Sequence, residues 1–270
     1  MDPQEKPETL RFYSVDPNGK KVAKIIPLVG ISRADAFEMG DKWKREVSEG
    51  KHTPPETSSV DKNFSIPRKP FTSLEMPPEG GASALFLGQT RSGKTTFIKE
   101  FHKHFFKKHI TVLHTCSPNA HIYKDYKKTS AISPEFGDTI IEECMLINQK
   151  TNMEYDFLHI IDDCVSSRNN KTMVRLLTIG RNSCQSVLIS GQELSILNAV
   201  GRTNLNFIFL GRLTSSRAIE KVVKEYLLGI FPTKIPLGDK IKLYRELTDN
   251  YNWICINALT GDIFITKLQM

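Results

Sequence analysis

The chain has 270 residues, a formal net charge of +7 and 39% hydrophobic residues, enough for one large α/β domain plus an extra segment. No apolar run approaches the ~18–20 residues needed to cross a bilayer, and the five cysteines (Cys116, Cys144, Cys164, Cys184, Cys255) and seven histidines lack metal-ligand spacing. These features argue against a membrane-spanning, zinc-stapled or disulfide-framed protein, fit reduced thiols in a cytosolic setting, and favour an anionic partner such as nucleic acid.

The polar start, Met1 to Lys6, carries no signal-peptide pattern, so a protein that is not secreted is expected. Leu10–Ser14 and Lys21–Ile26 flank Asp16-Pro17-Asn18-Gly19, a strong turn signal, and read as a hairpin. Ser32, with Asp35 three residues on, resembles a capping box with a shortened acid and opens a helix to about Val47. Residues 49–79 are rich in proline and read as an extended strap. The expected division is therefore an extension over 1–79 and a nucleotide-binding domain over 80–270.

From Ala82 onward, strands expected at 83–88, 110–116, 157–162, 186–190 and 206–211 alternate with helices at 93–108, 134–148, 170–181, 194–200 and 214–228. That alternation predicts a mostly parallel sheet covered on both faces. After Pro236 the pattern changes. Trp253–Asn257 and Asp262–Thr266 read as a terminal hairpin, within 235–270, that extends the sheet.

The first of these strands runs into Gly88-Gln89-Thr90-Arg91-Ser92-Gly93-Lys94-Thr95-Thr96, a complete Walker A P-loop. Its glycines let the chain turn with N–H groups pointing inward, and the following helix adds its positive N-terminal end. Lys94 is placed to reach the β- and γ-phosphates of ATP, and the Thr95 hydroxyl to hold Mg²⁺. Phe157–Asp163 is a buried strand ending in two acids, a Walker B pattern. Ligands bind at the carboxyl ends of parallel strands, so Asp162 is expected beside the Mg²⁺ and Asp163 beside an attacking water. The next strand ends in Ser190-Gly191-Gln192, where Gln192 is placed to sense the γ-phosphate. The same triplet superficially resembles the transport-ATPase signature, which should precede Walker B rather than follow it. Arg181 and Arg202 each close a helical stretch beside this strand. Either could act as an arginine finger on a neighbouring subunit, or serve as a helix-end charge or ion-pair partner; Arg202 is favoured because it follows the sensor.

Other classes of P-loop protein fit less well. Asn148-Gln149-Lys150-Thr151 is not the Asn-Lys-x-Asp that reads guanine, and no arginine-rich kinase lid is evident. A nucleotide kinase or another non-motor P-loop NTPase stays as the alternative. A non-enzymatic scaffold is disfavoured by the intact Lys94, Thr95, Asp162 and Asp163.

With these motifs in this order, the chain resembles the genome-packaging ATPases of large double-stranded DNA viruses, the poxvirus-type branch of the FtsK–HerA superfamily. The resemblance spans roughly residues 80–230. Its most specific stretch runs from Ile179-Gly180-Arg181-Asn182-Ser183 through Gln192 to Arg202-Thr203-Asn204. Two positions depart from the family pattern: Asn182, where members often carry His, and Gly191 before the glutamine. The resemblance implies a RecA-like P-loop NTPase core and an ATP-driven translocase. It further implies a homo-oligomeric ring at a capsid vertex that pumps double-stranded DNA without reading its sequence. The setting would be the host-cell cytoplasm or the virion. DNA contacts are then expected in the loop after Walker B, at Arg168 and Lys171. The basic stretches at 124–128 and 99–109 read as solvated surface, and no base-reading motif is evident.

Overall fold

The computed structural model describes residues 9–15, 17, 19, 21–27, 32–50, 64–77, 81–115, 129–133, 136–162 and 171–268. The chain forms two compact units, Met1–Lys62 and Asn63–Met270.

In the first unit, β1 (Thr9–Val15) and β2 (Lys21–Pro27) pair antiparallel over seven residues, followed by α1 (Arg33–Ser48). Ser32 caps α1, its hydroxyl accepting from the Asp35 N–H at 3.1 Å and donating to the Asp35 carboxylate at 2.7 Å. The aspartate thus closes the box on the capping hydroxyl. Phe12, Ala36, Trp43 and Val47 form a small core. Gly40 makes it possible, because a Cβ there would lie 2.2 Å from the Phe12 ring.

The second unit is built on an eight-stranded sheet in the order β10-β9-β8-β3-β7-β6-β4-β5. Its strands are β3 (Ser83–Leu87), β4 (Ile110–Thr115), β5 (Thr129–Ser133), β6 (Phe157–Asp162), β7 (Gln185–Gly191), β8 (Phe207–Leu210), β9 (Asn252–Asn257) and β10 (Ile263–Lys267). Six are parallel, and β9 and β10 run antiparallel at one side. The helices are α2 (Lys94–Phe105), α3 (Asp138–Lys150), α4 (Lys171–Ile179), α5 (Ala199–Thr203), α6 (Ser216–Val222) and α7 (Leu237–Leu247). A 3₁₀ turn, Gly180–Ser183, extends α4, and a π turn, Val223–Leu227, extends α6. Two elements go beyond the sequence reading. Strand β5 is short and polar, and α7 follows Pro236, where the motifs pointed only to a hairpin. The start expected for α3 at 134 moves to Asp138.

The strap is not a free linker over its described part. Ile265 N–H donates to the Pro67 carbonyl at 2.8 Å, Lys69 N–H to Ile265 O at 3.0 Å, and Phe71 N–H to Thr266 Oγ1 at 3.0 Å. Residues 67–71 therefore run along β10 and cover part of the outer edge of the sheet, where unpaired backbone would otherwise be exposed. The compact unit accordingly begins at Asn63, upstream of the division expected at 79/80.

The core that sets the P-loop is aromatic. Phe86 stacks on Phe209 at 4.6 Å, and Phe97 and Phe101 of α2 meet both rings edge-on. Phe97 also meets Trp253 of β9 at 5.3 Å. Burying Phe97, Ile98 and Phe101 on one face of α2 locks the helix over β3 and β8, and so fixes its N-terminus above the end of β3.

Candidate nucleotide site

Parallel strands β3, β6, β7 and β8 deliver their carboxyl ends to one edge of the sheet. That edge carries Gly88–Thr95, Asp162, Ser190–Gln192 and Arg212. Because β9 runs the other way, its beginning at Asn252 reaches the same edge.

The loop after β3 has the shape expected of a phosphate cradle. Arg91 and Gly93 take left-handed conformations, φ 64° and 90°, and alternation of this kind turns successive N–H groups inward. Gly93 is the N-cap of α2 and gives no side-chain cap, and no acid lies in the first turn. The amides of the first helical turn and the helix dipole there favour an anion. Lys94 is buried, its ammonium donating to the carbonyls of Gly88 at 2.8 Å and Gln89 at 2.9 Å. Gly88 has a steric reason as well: a Cβ there would lie 2.5 Å from Ser92 Oγ and 3.3 Å from the Trp253 indole.

Walker B meets this loop. The Thr95 hydroxyl donates to Asp162 Oδ2 at 3.0 Å across 67 residues of sequence. Asp162 is fully buried, and its second oxygen accepts from the Ser190 hydroxyl. Sequence reasoning passed over Ser190. Its signal was register: Ile161 pairs with Ile189, so the next residue of each strand brings Asp162 beside Ser190. The Thr95 hydroxyl, Asp162 carboxylate and inward-facing amides are an oxygen-rich set matched to Mg²⁺ and phosphate. No group of three or more His, Cys, Asp or Glu suited to a metal ion occurs among the described residues.

The remaining candidates fall in three places. Gln192 lies exposed at the end of β7, on the same edge as the P-loop. Thr96 is exposed in the first turn of α2. Asp163 and Arg168 lie outside the described residues, while Lys171 is exposed at the first position of α4.

The two arginines sit at the opposite edge. Arg181 packs against Gly81, just before β3, where a Cβ would lie 2.3 Å from the Arg181 Cα. Arg202 is two residues before Asn204, whose carbonyl accepts from Ser83 at the start of β3. A five-residue strand separates this edge from the phosphate loop by about 15–20 Å, so neither arginine serves the loop of its own chain. They also differ from each other. Arg202 is largely buried, donating to Glu225 at 2.9 Å and to the Leu197 carbonyl at 2.8 Å. Arg181 is exposed, and its side chain has no hydrogen bond or ion pair among the described residues.

Behind the site, a buried polar chain crosses the sheet. His114 Nε2 lies 3.2 Å from His159 Nδ1, and His159 Nε2 lies 2.8 Å from Gln185 Oε1. Burial lowers the pKa of His159 to about 4, so it is neutral near pH 7. Cys144 and Cys255 are buried, and burial raises both thiols; Cys116 and Cys164 lie outside the described residues.

No family model matches the chain. The uncharacterised protein 088R of Invertebrate iridescent virus 3 is 28% identical over 196 residues, 68% of this chain and 72% of that one. Among solved structures, the genome-packaging NTPase B204 of Sulfolobus turreted icosahedral virus 2, in complex with AMPPCP, has a TM-score of 0.52 at 13% identity, covering 71% of this chain and 99% of that one. The DNA-packaging ATPase B204 of Sulfolobus Turreted Icosahedral Virus has a TM-score of 0.51 at 13% identity, covering 71% and 100%. At these identities the likeness is one of architecture, and this chain has the α/β fold of a RecA-like P-loop NTPase.

Proposed function

We propose that the chain is an ATP-hydrolysing DNA translocase that packages viral double-stranded DNA into a capsid. The observation that carries the reading is the 3.0 Å hydrogen bond between Thr95 and Asp162, which joins the P-loop and Walker B into one site. The packaging role is supported by the motif order from Arg181 to Asn204 and by the fold shared with a genome-packaging NTPase.

In this reading the amides of the Gly88–Thr95 loop other than those of Gly88, Gln89 and Ser92, which bond protein carbonyls, cradle the triphosphate, and Lys94 exchanges its loop carbonyls for phosphate oxygens. Thr95 and Asp162 would hold Mg²⁺, which when bound neutralises charge on the β- and γ-phosphate oxygens. Ser190 fixes the Asp162 carboxylate so that one oxygen stays directed at Thr95. Asp163, next along the chain, accepts a proton from the attacking water. Gln192, one strand over, reads the presence of the γ-phosphate and passes it to the following helices. Arg181 of a neighbouring subunit stabilises the spreading charge, so the site is complete only in a ring. Lys171 and Arg168 touch DNA phosphates, which makes the grip independent of base sequence. Ring assembly at a capsid vertex, in the host-cell cytoplasm or virion, belongs to the same proposal.

Phosphate release at rising protein concentration, with and without duplex DNA, tests it. Specific activity should climb with concentration and with DNA, and Asp163→Asn should bind ATP yet not turn it over. Activity from a monomer that neither concentration nor DNA alters would sink the translocase.

A further inference from the structure

We propose that the cavity between the phosphate loop and the turn before β9 is the nucleoside subsite of the triphosphate site, with the Tyr251 ring as the surface on which the base stacks. The inference rests on the reading of Gly88–Thr95 as a phosphate cradle.

Polarity of the site comes first. Asp162 and Ser190, which mark the metal end of a bound triphosphate, lie on the β6 and β7 side of β3. A triphosphate held in the loop after β3 with its metal end there would extend its nucleoside end the other way, toward β8 and β9. A cavity of about 280 Å³ lies there, close to the size range of small-ligand pockets. Gln89–Ser92 form one wall, and Arg212 with Thr248–Asn252 form the other. The two walls are tied together, since Gln89 N–H donates to the Arg212 carbonyl at 2.8 Å.

Two further observations point to a ligand. Ser92 and Gln89 line this cavity; Ser92 Oγ and Gln89 Oε1 are buried with no hydrogen-bond partner among the described residues, and Ser92 is only 5% exposed. Buried polar atoms are ordinarily paired, and a polar ligand supplies what these lack. The opposite wall is strained. Asn250 and Tyr251 are consecutive left-handed residues, φ 53° and 60°, in a turn closed by Asn252 N–H to the Asp249 carbonyl at 3.1 Å. A tyrosine rarely adopts this conformation, and such strain concentrates where a ligand is clamped. The turn sets the ring against the phosphate loop: a Cβ on Gly93 would lie 3.5 Å from Tyr251 Cδ1. Tyr251 as a whole remains 41% exposed while lining the cavity. Asp249, Asn250 and Asn252 line the same wall, side chains whose chemistry suits ribose hydroxyls and base edges.

Calorimetric binding of Mg-ATP and Mg-tripolyphosphate to the full chain tests the assignment. Tyr251→Gly removes the ring at a position where glycine is at ease, so its thermal stability should equal or exceed that of the wild type. It should lose about tenfold in ATP affinity, in line with the loss of one base–aromatic stack, and bind tripolyphosphate as the wild type does. Tyr251→Phe should retain both. Unchanged ATP affinity in Tyr251→Gly, or equal weakening of ATP and tripolyphosphate, overturns the subsite. Failure of the phosphate reading shows separately, as tripolyphosphate binding that Lys94→Ala does not weaken.

Discussion

Thr95 and Asp162 meet at 3.0 Å although 67 residues separate them, because β3 and β6 flank β7 in one parallel sheet and end at the same edge. Neither residue is placed by its local sequence; the strand order brings them together. Thr95→Ala and Asp162→Asn should each lower turnover by at least about 10²-fold. Phosphate release across a Mg²⁺ titration checks this, and turnover that either substitution leaves intact would detach the pair from the chemistry.

The two arginines should separate cleanly. In the proposed ring, Arg181→Ala alone should be inactive, as should Lys94→Ala alone, yet a mixture should regain activity, since one would supply an intact phosphate loop and the other an intact finger. Arg202→Ala should keep turnover and lose stability by about 1 kcal/mol or less, because its pair with Glu225 is partly exposed and screened. Turnover of the mixture against that of each variant decides the first, and urea midpoints decide the second.

Trp253 occupies space left by two glycines at strand ends. A Cβ on Gly211 would lie 2.6 Å from the indole, and one on Gly88 3.3 Å away. Gly211→Ala should therefore destabilise by about 1–3 kcal/mol through overpacking. Denaturant unfolding measures the loss, and Trp253 fluorescence should shift as the ring is displaced. An alanine variant as stable as the wild type would mean the indole yields freely.

His159 makes stability fall with acid. Its folded pKa, about 4, lies below the ordinary 6.5, so the unfolded chain binds the extra proton between those values. The contribution is fully present above about pH 6.5 and is lost as pH drops toward 4, with a slope of up to about 1.4 kcal/mol per pH unit. Urea midpoints from pH 7.5 to 4.5 should decline, and His159→Gln should make that decline shallower without abolishing it, because burial lowers the pKa of His102 to about 4 as well. An equal slope in the variant would assign the acid sensitivity elsewhere.

Lys171 should act on DNA through charge alone. Lys171→Ala should weaken duplex binding about equally for all sequences and reduce the salt dependence by about one phosphate contact. Filter binding over a salt series gives the slope, and a sequence-selective loss would contradict a backbone contact.

Local order was legible because it arises from short-range physics. The Gly88–Thr95 spacing, the apolar run into Asp162 and the Ser32 cap each mark one turn or strand end, and the five central strands lie within one or two residues of their expected limits. Helix α7 was missed because its pattern is diluted by exposed charged positions and begins behind Pro236. The polar strand β5 carries too little apolar signal to mark itself, and it forms by pairing with β4.

The sequence by itself determined the local pieces: a P-loop-type turn, an apolar run ending in an acid and an alternation of strands and helices that demands a parallel sheet. Tertiary structure decided who meets whom. Register placed Ser190 on Asp162, and the reversed direction of β9 carried Tyr251 to the P-loop. The length of β3 set both arginines at the far edge, and Glu225 claimed Arg202. These outcomes depend on strand order and on contacts between residues distant in the chain, so no local pattern encodes them.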